Sequence, residues 1–562
     1  MIEQLITDHL DLWSSAVRPK SSAGRGSNSK LELTGIKKLR ELILELAVLG
    51  KLVPQDPNDE PASVLLERIA AEKARLVTEG KIKKSKPLSD DYEGEKYHLL
   101  PAGWSLAKLG DIFNIVYGKG LSSAELTSDG YDVFGANGVI GKYTSYIYET
   151  EQLLISCRGA YSGAANISPE KCFVTSNSLV LECSWNYLSL HYFYYALSAG
   201  DKSHIVTGSA QPQVTTANLS PYVIAIPPLA EQHRIVAKVD KLMSLCDQLE
   251  QKSEASRAAH QTLVETLLAT LTESADSSEL AQNWARLAQH FDSLFTTQSS
   301  IDALKQTILQ LAVMGKLVPQ DPNDEPASAL LERIAAEKAR LIKEGKIKKE
   351  KPLPPISEEE KPFALPDGWQ YERVGTFCLV GTGATPSRTN NKYWESATVN
   401  WVSSGETSDL FVSETNEKIS ALAVKETNVT VYPVGTLIVA MYGQGKTRGQ
   451  ITELLVEAGT NQACAAIVMI EKSENIKNYI KIFFRKAYSE IREQAAGGAQ
   501  PNLNVGKIST TVIPIPPIAE QHRIVTKVEE LMSLCDQLSA RLQASQTTQL
   551  HLAEALVEGA LN

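Results

Sequence analysis

The sequence predicts an α+β chain in which two mixed α/β domains, related by internal duplication, are separated by long antiparallel coiled-coil helices. Three observations carry that reading: blocks of sequence recur nearly unchanged, the recurring blocks have helical periodicity, and the stretches they enclose do not. GKLVPQDPNDEPASVLLERIAAEKARL, from Gly50 to Leu76, returns as GKLVPQDPNDEPASALLERIAAEKARL from Gly315 to Leu341 with one change, Val64 against Ala329. PPLAEQHRIVAKVDKLMSLCDQL (Pro227 to Leu249) returns as PPIAEQHRIVTKVEELMSLCDQL (Pro516 to Leu538), and LPAGW (Leu100 to Trp104) returns as LPDGW (Leu365 to Trp369). The first and third pairs are 265 residues apart and the second 289, so the second enclosed stretch is 24 residues longer. A solenoid would repeat at one short, constant period. This pattern is a tandem duplication of one frame around a variable insert.

Each element follows from its local pattern. Ile36, Leu39, Ile43 and Leu46 share a helical face before Gly50, as Leu304, Ile308 and Leu311 do before Gly315. A glycine just past the last apolar turn is a helix stop. PQDPNDEP cannot be helix, because its prolines lack the amide donor and clash with the preceding turn; ASVLLERIAAEKARL resumes helix as far as Gly80. GKIKKSKP and GKIKKEKP read as basic hinge linkers or, equally, as solvated loops. The inserts, about 104 to 226 and 369 to 514, are rich in Gly, Ser, Thr, Val, Tyr and Asn, with short β-type runs such as QLLISC and GTLIVAMY. Trp104 and Trp369, where they begin, read as core anchors. After Glu231 the apolar residues Ile235, Val239, Leu242, Cys246 and Leu249 alternate spacings of four and three, and Leu263 and Leu267 resume that register. Ile524, Val528, Leu531, Cys535, Leu538 and Leu542, then Leu552 and Leu556, repeat it. This period of 3.5 predicts a coiled-coil seam on helices of about 35 to 40 residues, roughly 50 to 60 Å long, with the two seams packed on each other. Ser253, Ser256, His260, Ser545 and Gln549 would be its polar register markers. The implied division is 1–99 helical, 100–228 first α/β domain, 229–364 helical, 365–517 second α/β domain and 518–562 terminal helix.

At 562 residues the chain exceeds what one core supports. It has no apolar run near the ~20 residues of a membrane span, and it opens on acidic MIEQLITDHLDLW, which predicts a cytoplasmic protein. Seven cysteines without CxxC spacing suit reduced thiols and no structural metal. GQGKT at Gly443 to Thr447 is not a phosphate-binding loop, because Ala440 stands where G-x-x-x-x-G-K-[ST] needs its first glycine and no helix start follows. The adenine-methyltransferase signature of Asn or Asp, two prolines and an aromatic is absent, because the PP pairs continue as LAEQ and IAEQ. No catalytic set assembles.

The two variable domains, the helices opened by IPPLAEQHRIV and IPPIAEQHRIV, the LAVLGKLVPQ and LAVMGKLVPQ segments, and GTGATPSRTNNKYW at the head of the second insert together resemble a type I restriction-modification specificity subunit. The resemblance covers all but residues 1–30. It implies that each insert is a target recognition domain for one half of a split DNA sequence and that the helices set the distance between halves. It further implies two docked methyltransferase subunits, with motor-nuclease subunits in the full complex. S-adenosylmethionine, ATP and Mg are then expected in those partners, and the chain itself is no enzyme.

Charge is an objection to a DNA role. The chain carries −10 overall, the first insert (Trp104 to Pro227) −3 and the second (Trp369 to Pro516) +1, so neither is an autonomous phosphate binder, and partners must supply much of the neutralisation. Base reading needs Arg, Lys, Asn and Gln at groove edges. The candidates, all in polar turns, are Lys119, Ser122, Asn137, Lys142, Arg158, Tyr161 and Gln211 in the first insert. In the second they are Thr385, Arg388, Asn391, Lys392, Tyr442, Gln444, Lys446, Arg448, Gln500 and Asn502. A polar residue in a Gly-rich turn is more often a turn former than a base reader. The competing reading of the whole chain is a duplicated coiled-coil protein-interaction adaptor with no DNA role, which the negative charge favours and the unequal polar inserts oppose.

Overall fold

The computed structural model describes residues 2–19, 31–83, 100–183, 188–208, 211–275, 277–443, 447–496 and 503–561. They form two compact units, one drawn from Met1–Pro19, Leu31–Ala255 and Gln546–Asn562 and the other chiefly from Ser256–Ser545. Among the described residues no helix is long and apolar enough to cross a membrane.

In the first unit, helix α1 (Thr34–Val48) buries the face that the apolar spacing selects, Ile36, Leu39, Ile43 and Leu46. It stops at Gly50, whose φ is +68°, where the amides of Lys51 and Gly50 donate to the carbonyls of Leu46 and Ala47 at 2.9 and 3.4 Å. Glycine is needed there for the left-handed φ and for space: a Cβ would lie 2.4 Å from Pro101 Cγ of LPAGW. Helix α2 (Ala62–Thr78) starts directly after the proline segment, its first amide donating to the Gly103 carbonyl at 2.8 Å. The insert then opens on β1 (Ser105–Lys108), continues through β2 (Asn114–Tyr117), β3 (Tyr131–Phe134), β4 (Val139–Tyr143), β5 (Leu153–Ser156), β6 (Ala165–Ile167), β7 (Phe173–Val174) and β8 (Ser178–Glu182), and closes on helix α3 (Leu190–Ala199) and β9 (Val223–Ile226). β1 and β9 pair antiparallel, so the insert leaves its frame beside the point where it enters. Between them lie a sheet of order β2-β8-β5-β6 and a smaller one of order β4-β3-β7.

The second unit repeats the plan. Helices α5 (Gln298–Val313) and α6 (Ala327–Lys343) stand for α1 and α2, with α4 (Leu229–Glu273) running into them from the first frame. Gly315 has φ +71° and sits against Pro366 as Gly50 does against Pro101. The insert carries β10 (Gln370–Arg373), β11 (Cys378–Thr382), β12 (Val399–Val402), β13 (Phe411–Val412), β14 (Glu417–Ile419), β15 (Leu437–Ala440), β16 (Ile451–Leu454), β17 (Ala458–Thr460) and β18 (Cys464–Met469). Helix α7 (Glu474–Ala496) and β19 (Val512–Ile515) close it, and β19 pairs with β10. Its sheets, β11-β18-β15-β16-β13 and β14-β12-β17, match those of the first insert strand for strand except that β13 is added where β3 and β4 are joined by a tight turn. Part of the extra length of the second insert is therefore a strand on the edge of the main sheet.

The three motifs written twice meet at one place in each unit. Glu231 accepts hydrogen bonds from Trp104 Nε1 at 3.0 Å and Gln55 Nε2 at 3.2 Å, Gln55 also donates to the Gly50 carbonyl at 2.6 Å, and Arg234 pairs with Asp59 at 2.6 Å. Glu520 accepts from Trp369 at 2.9 Å and Gln320 at 3.0 Å, Gln320 donates to Gly315 at 2.6 Å, and Arg523 pairs with Asp324 at 2.6 Å. LP-x-GW, GKLVPQDPND and AEQHR are thus one joint between frame and insert, and Trp104 and Trp369, 7% and 8% exposed, anchor it as expected. Burial raises the pKa of Glu231 and of Glu520, and the hydrogen bonds from the glutamine and the tryptophan hold it partly back.

The long helices depart from the coiled-coil expectation in two ways. α4 has 45 residues and α8 (Ile518–Leu561) has 44. Ile235, Val239, Leu242 and Cys246, with Leu249 at the margin, share one core with α1 and with Leu550 and Ala553 from the end of α8. Ile524, Val528 and Cys535, with Leu531 and Leu538 at the margin, share another core with α5 and with Val264, Leu268 and Leu271 from the end of α4. The two predicted seams therefore do not pack on each other: each lies in its own unit against a short frame helix and the last turns of the other long helix. The register slips as well. Leu263 and Leu552, expected in the seam, are 51% and 52% exposed, while the neighbouring Val264 and Ala553 are buried. A helix of 3.6 residues per turn drifts about 20° per heptad, so about 80° over the 28 residues separating Ile235 from Leu263. That is most of the ~100° between adjacent residues.

Candidate nucleic-acid interface

Sheet order creates one loop-bearing end on each insert. β8 runs antiparallel to both β2 and β5, so the loop after β2, the loop after β5 and the approach to β8 all lie at the same end. Backbone bonds lace them together: Lys119 donates to Val174 at 2.9 Å, Ser176 to Lys119 at 3.0 Å, and Cys157 to Asn177 at 2.9 Å. The segment around Pro212 joins through Gly159 to Pro212 at 3.1 Å and Val214 to Cys157 at 3.0 Å. The β3–β4 turn is tied down by Ser178 Oγ donating to the Gly135 carbonyl at 2.8 Å and Ser156 Oγ to that of Ala136.

Lys119, Asn137, Arg158, Tyr161 and Gln211 are all exposed on these loops, with Tyr161 at 60%. Two further exposed amides, Asn177 and Gln213, belong to the same end; a single Asn or Gln next to a β-type run gave no sequence signal. Ser122 is held as the cap of a short helical turn, with Glu125 reaching back to its amide at 2.8 Å. Lys142 is tied to Asp132 at 3.1 Å.

In the second insert, β18 lies antiparallel between β11 and β15, which gathers the corresponding loops. Thr385, after β11, donates to Oε1 of Gln462, just before β18, and Tyr442, after β15, is 40% exposed. Gln462 is exposed and, like Asn177 and Gln213, carries no signal in the sequence. Arg388 is engaged inside the domain: it forks onto Glu417 at 2.5 and 2.8 Å with its guanidinium 3.9 Å over the Trp394 ring. Those hydrogen bonds raise its pKa and lower that of Glu417. Asn391 and Lys392 are exposed on a short 3-10 turn capped by Asn390. Arg448 is half-buried, and its Nε has no partner among the described residues. Gln444, Lys446, Gln500 and Asn502 lie outside the described residues. The described chain after Thr447 enters strand β16 where a phosphate-binding loop would lead into a helix.

The model of the type I restriction modification DNA specificity domain matches residues 101–256 and 366–545. The chain is 42% identical to the type I restriction enzyme EcoEI specificity subunit of Escherichia coli and 41% identical to the EcoAI specificity subunit of the same species, each over all of both chains. A solved chain from a study of complex assembly and conformational transition of the type I R-M system aligns with a TM-score of 0.48 and 15% identity, covering 83% of this chain and 99% of that one.

Proposed function

Since the chain belongs to the family of type I restriction-modification specificity subunits, we propose that it reads a bipartite, asymmetric DNA target, one half-site at the loop-bearing end of each insert, and holds two copies of one methyltransferase subunit. The observation that carries this is a contrast: helices α2 and α6 repeat their exposed residues as faithfully as their buried ones, whereas the two loop-bearing ends, apart from a shared Ala-Gln-Pro, differ at most positions. Glu67, Arg68, Ala70 and Ala71 on α2 are exposed and identical to Glu332, Arg333, Ala335 and Ala336 on α6, and His233 and His522 are exposed in the same setting. Folding needs no identity at exposed positions; a partner that docks twice does. The long helices add an apolar feature to the repeated surface, with Leu245 and Leu534 exposed at 41% and 47% and Leu263 and Leu552 at 51% and 52%.

The partners then carry the chemistry. S-adenosylmethionine belongs to the methyltransferase subunits, ATP and Mg to the motor-nuclease subunits that complete the restriction enzyme, and this chain contributes recognition alone, in the cytoplasm where host DNA lies. Family membership sets aside both the adaptor without DNA and an ATPase built on GQGKT. The experiment is co-expression with the methyltransferase subunit, followed by mapping of methylated adenines in host DNA. A split motif methylated by wild type, together with loss of assembly on Leu245→Glu and Leu534→Glu, is the expected result; assembly undiminished in the double variant refutes docking at the leucines, and methylation without a split motif refutes the reading.

A further inference from the structure

We propose that Arg158 is the residue by which the first insert specifies a guanine in its half-site; this rests on the DNA-reading function proposed above. Arg158 is the only arginine between Trp104 and Pro227. Of the five lysines in that span, Lys108 is buried, Lys142 is paired with Asp132, and Lys202 is spent on the carbonyls of Leu197 and Gly200. Arg158, by contrast, is exposed, and its guanidinium has no hydrogen bond or ion pair among the described residues. Its backbone is clamped on both sides, by the Arg158–Gln213 bridge, by Cys157 donating to Asn177, and by Gly159 donating to Pro212 with φ +82°. A rigid loop thus projects a free planar fork of donors.

The surroundings suit a base edge. The loops at this end, residues 118–120, 135–138, 157–163, 174–178 and 211–214, contain no Asp or Glu, so none of them offers the guanidinium a carboxylate. Lys119, Asn137, Asn177 and Gln213 flank it with further exposed donors. Guanine presents O6 and N7 side by side in the major groove, and the arginine fork matches both at once, which a lysine ammonium cannot do. The equivalent loop of the second insert places Tyr442 after its strand with Arg448 half-buried farther on, and Arg388, after β11, is committed to Glu417. The contact is assigned to the first half-site alone, because the position equivalent to Arg158 in the second insert is Tyr442.

The test uses the assembled methyltransferase complex on a DNA library randomised through both half-sites, comparing wild type with Arg158→Ala and Arg158→Lys. Both variants should lose on the order of tenfold to a hundredfold preference at one G·C pair in one half-site and leave the other half-site unchanged. Because the side chain is exposed and unpaired, neither variant should alter assembly. A uniform loss of methylation with every base preference intact, and a shallower salt dependence, would mean a phosphate contact and overturn the proposal. Unaltered preferences in both variants would overturn it too. A wild-type complex with no bipartite target would overturn the DNA-reading function first, a result distinct from either.

Discussion

Replacing Trp104 by Phe removes one donor from a buried carboxylate together with part of the indole packed against Tyr192, and the pH dependence of the loss isolates the donor and makes the joint between frame and insert measurable. Glu231 is 1% exposed and receives only Trp104 Nε1 at 3.0 Å and Gln55 Nε2 at 3.2 Å. Without the indole N–H, Oε2 is left buried and unsatisfied, at a cost of about 1.5–3 kcal/mol for a hydrogen bond to a charged acceptor. At about 2–4 °C per kcal/mol for a unit of this size, the unfolding midpoint of the first unit should fall by roughly 3–12 °C. Trp369→Phe should do the same to the second unit, because its bond to Glu520 is 2.9 Å long in the same setting. The pH dependence gives a second reading. Burial raises the folded pKa of Glu231 above the ordinary 4.5, so this carboxyl adds stability as pH falls through its folded value. Loss of the tryptophan donor raises that value further, so the variant gains more from acidification than wild type, and its deficit should narrow from neutral pH down through the window above 4.5. Calorimetry of the full chain across that range decides it. An unchanged midpoint, or a deficit that widens on acidification, refutes the claim that this joint is held by a buried charge.

Three further outcomes follow from the same architecture. With inserts of net charge −3 and +1, the isolated chain should bind DNA weakly, and adding the methyltransferase subunit should strengthen binding with a steeper salt dependence; tight sequence-specific binding by the chain alone, measured by fluorescence anisotropy, would contradict this. Because β1 pairs with β9 and returns the chain to its frame, exchanging residues 104–226 for the insert of another specificity subunit should change one half of the methylated motif only, and a change in both halves would show that the domains are not independent. Adding seven residues to both long helices, between Leu249 and Leu263 and between Leu538 and Leu552, adds about 10 Å of rise to each and should lengthen the spacer between methylated adenines by up to about three base pairs. A correctly assembled complex that keeps the original spacing would show that these helices do not set it.

The frame was legible because its signals are local and doubled. The stop at Gly50, the break at PQDPNDEP and the apolar face of α1 are each set by a few adjacent residues, and the second copy repeats them. The joint was not legible in advance, although every residue of it lay in a quoted motif: Gln55, Trp104 and Glu231 are brought together only by packing, and sequence shows no partner for a glutamate 127 positions from its tryptophan. The loop-bearing ends were legible in part. Gly-rich turns after β-type runs pointed to Lys119, Asn137 and Arg158, whereas Asn177, Gln213 and Gln462 qualify only through strand order, which composition does not reveal. Arg388 shows the opposite case, an arginine in a polar turn whose charge is consumed by a glutamate 29 residues on.

The slip of the heptad bears directly on how a partner could use these helices. In a supercoil of 3.5 residues per turn, residues 18 apart are offset by about 50° around the axis, and Leu263 would turn inward with the seam. In a straight helix of 3.6 residues per turn, 18 residues make five full turns. Leu245 and Leu263 are 18 apart, as are Leu534 and Leu552, and all four are exposed. The drift of a 3.6-residue turn against the heptad is what carries Leu263 and Leu552 out of the core. A supercoil that held the heptad would have kept Leu263 and Leu552 in the seam, whereas Leu245 and Leu534, which lie off the seam beside Cys246 and Cys535, would be exposed in either geometry. Exposed leucines that recur at equivalent positions of the two long helices are the positions that the proposed docking of one subunit on each frame would cover, which is why Leu245→Glu with Leu534→Glu tests that docking.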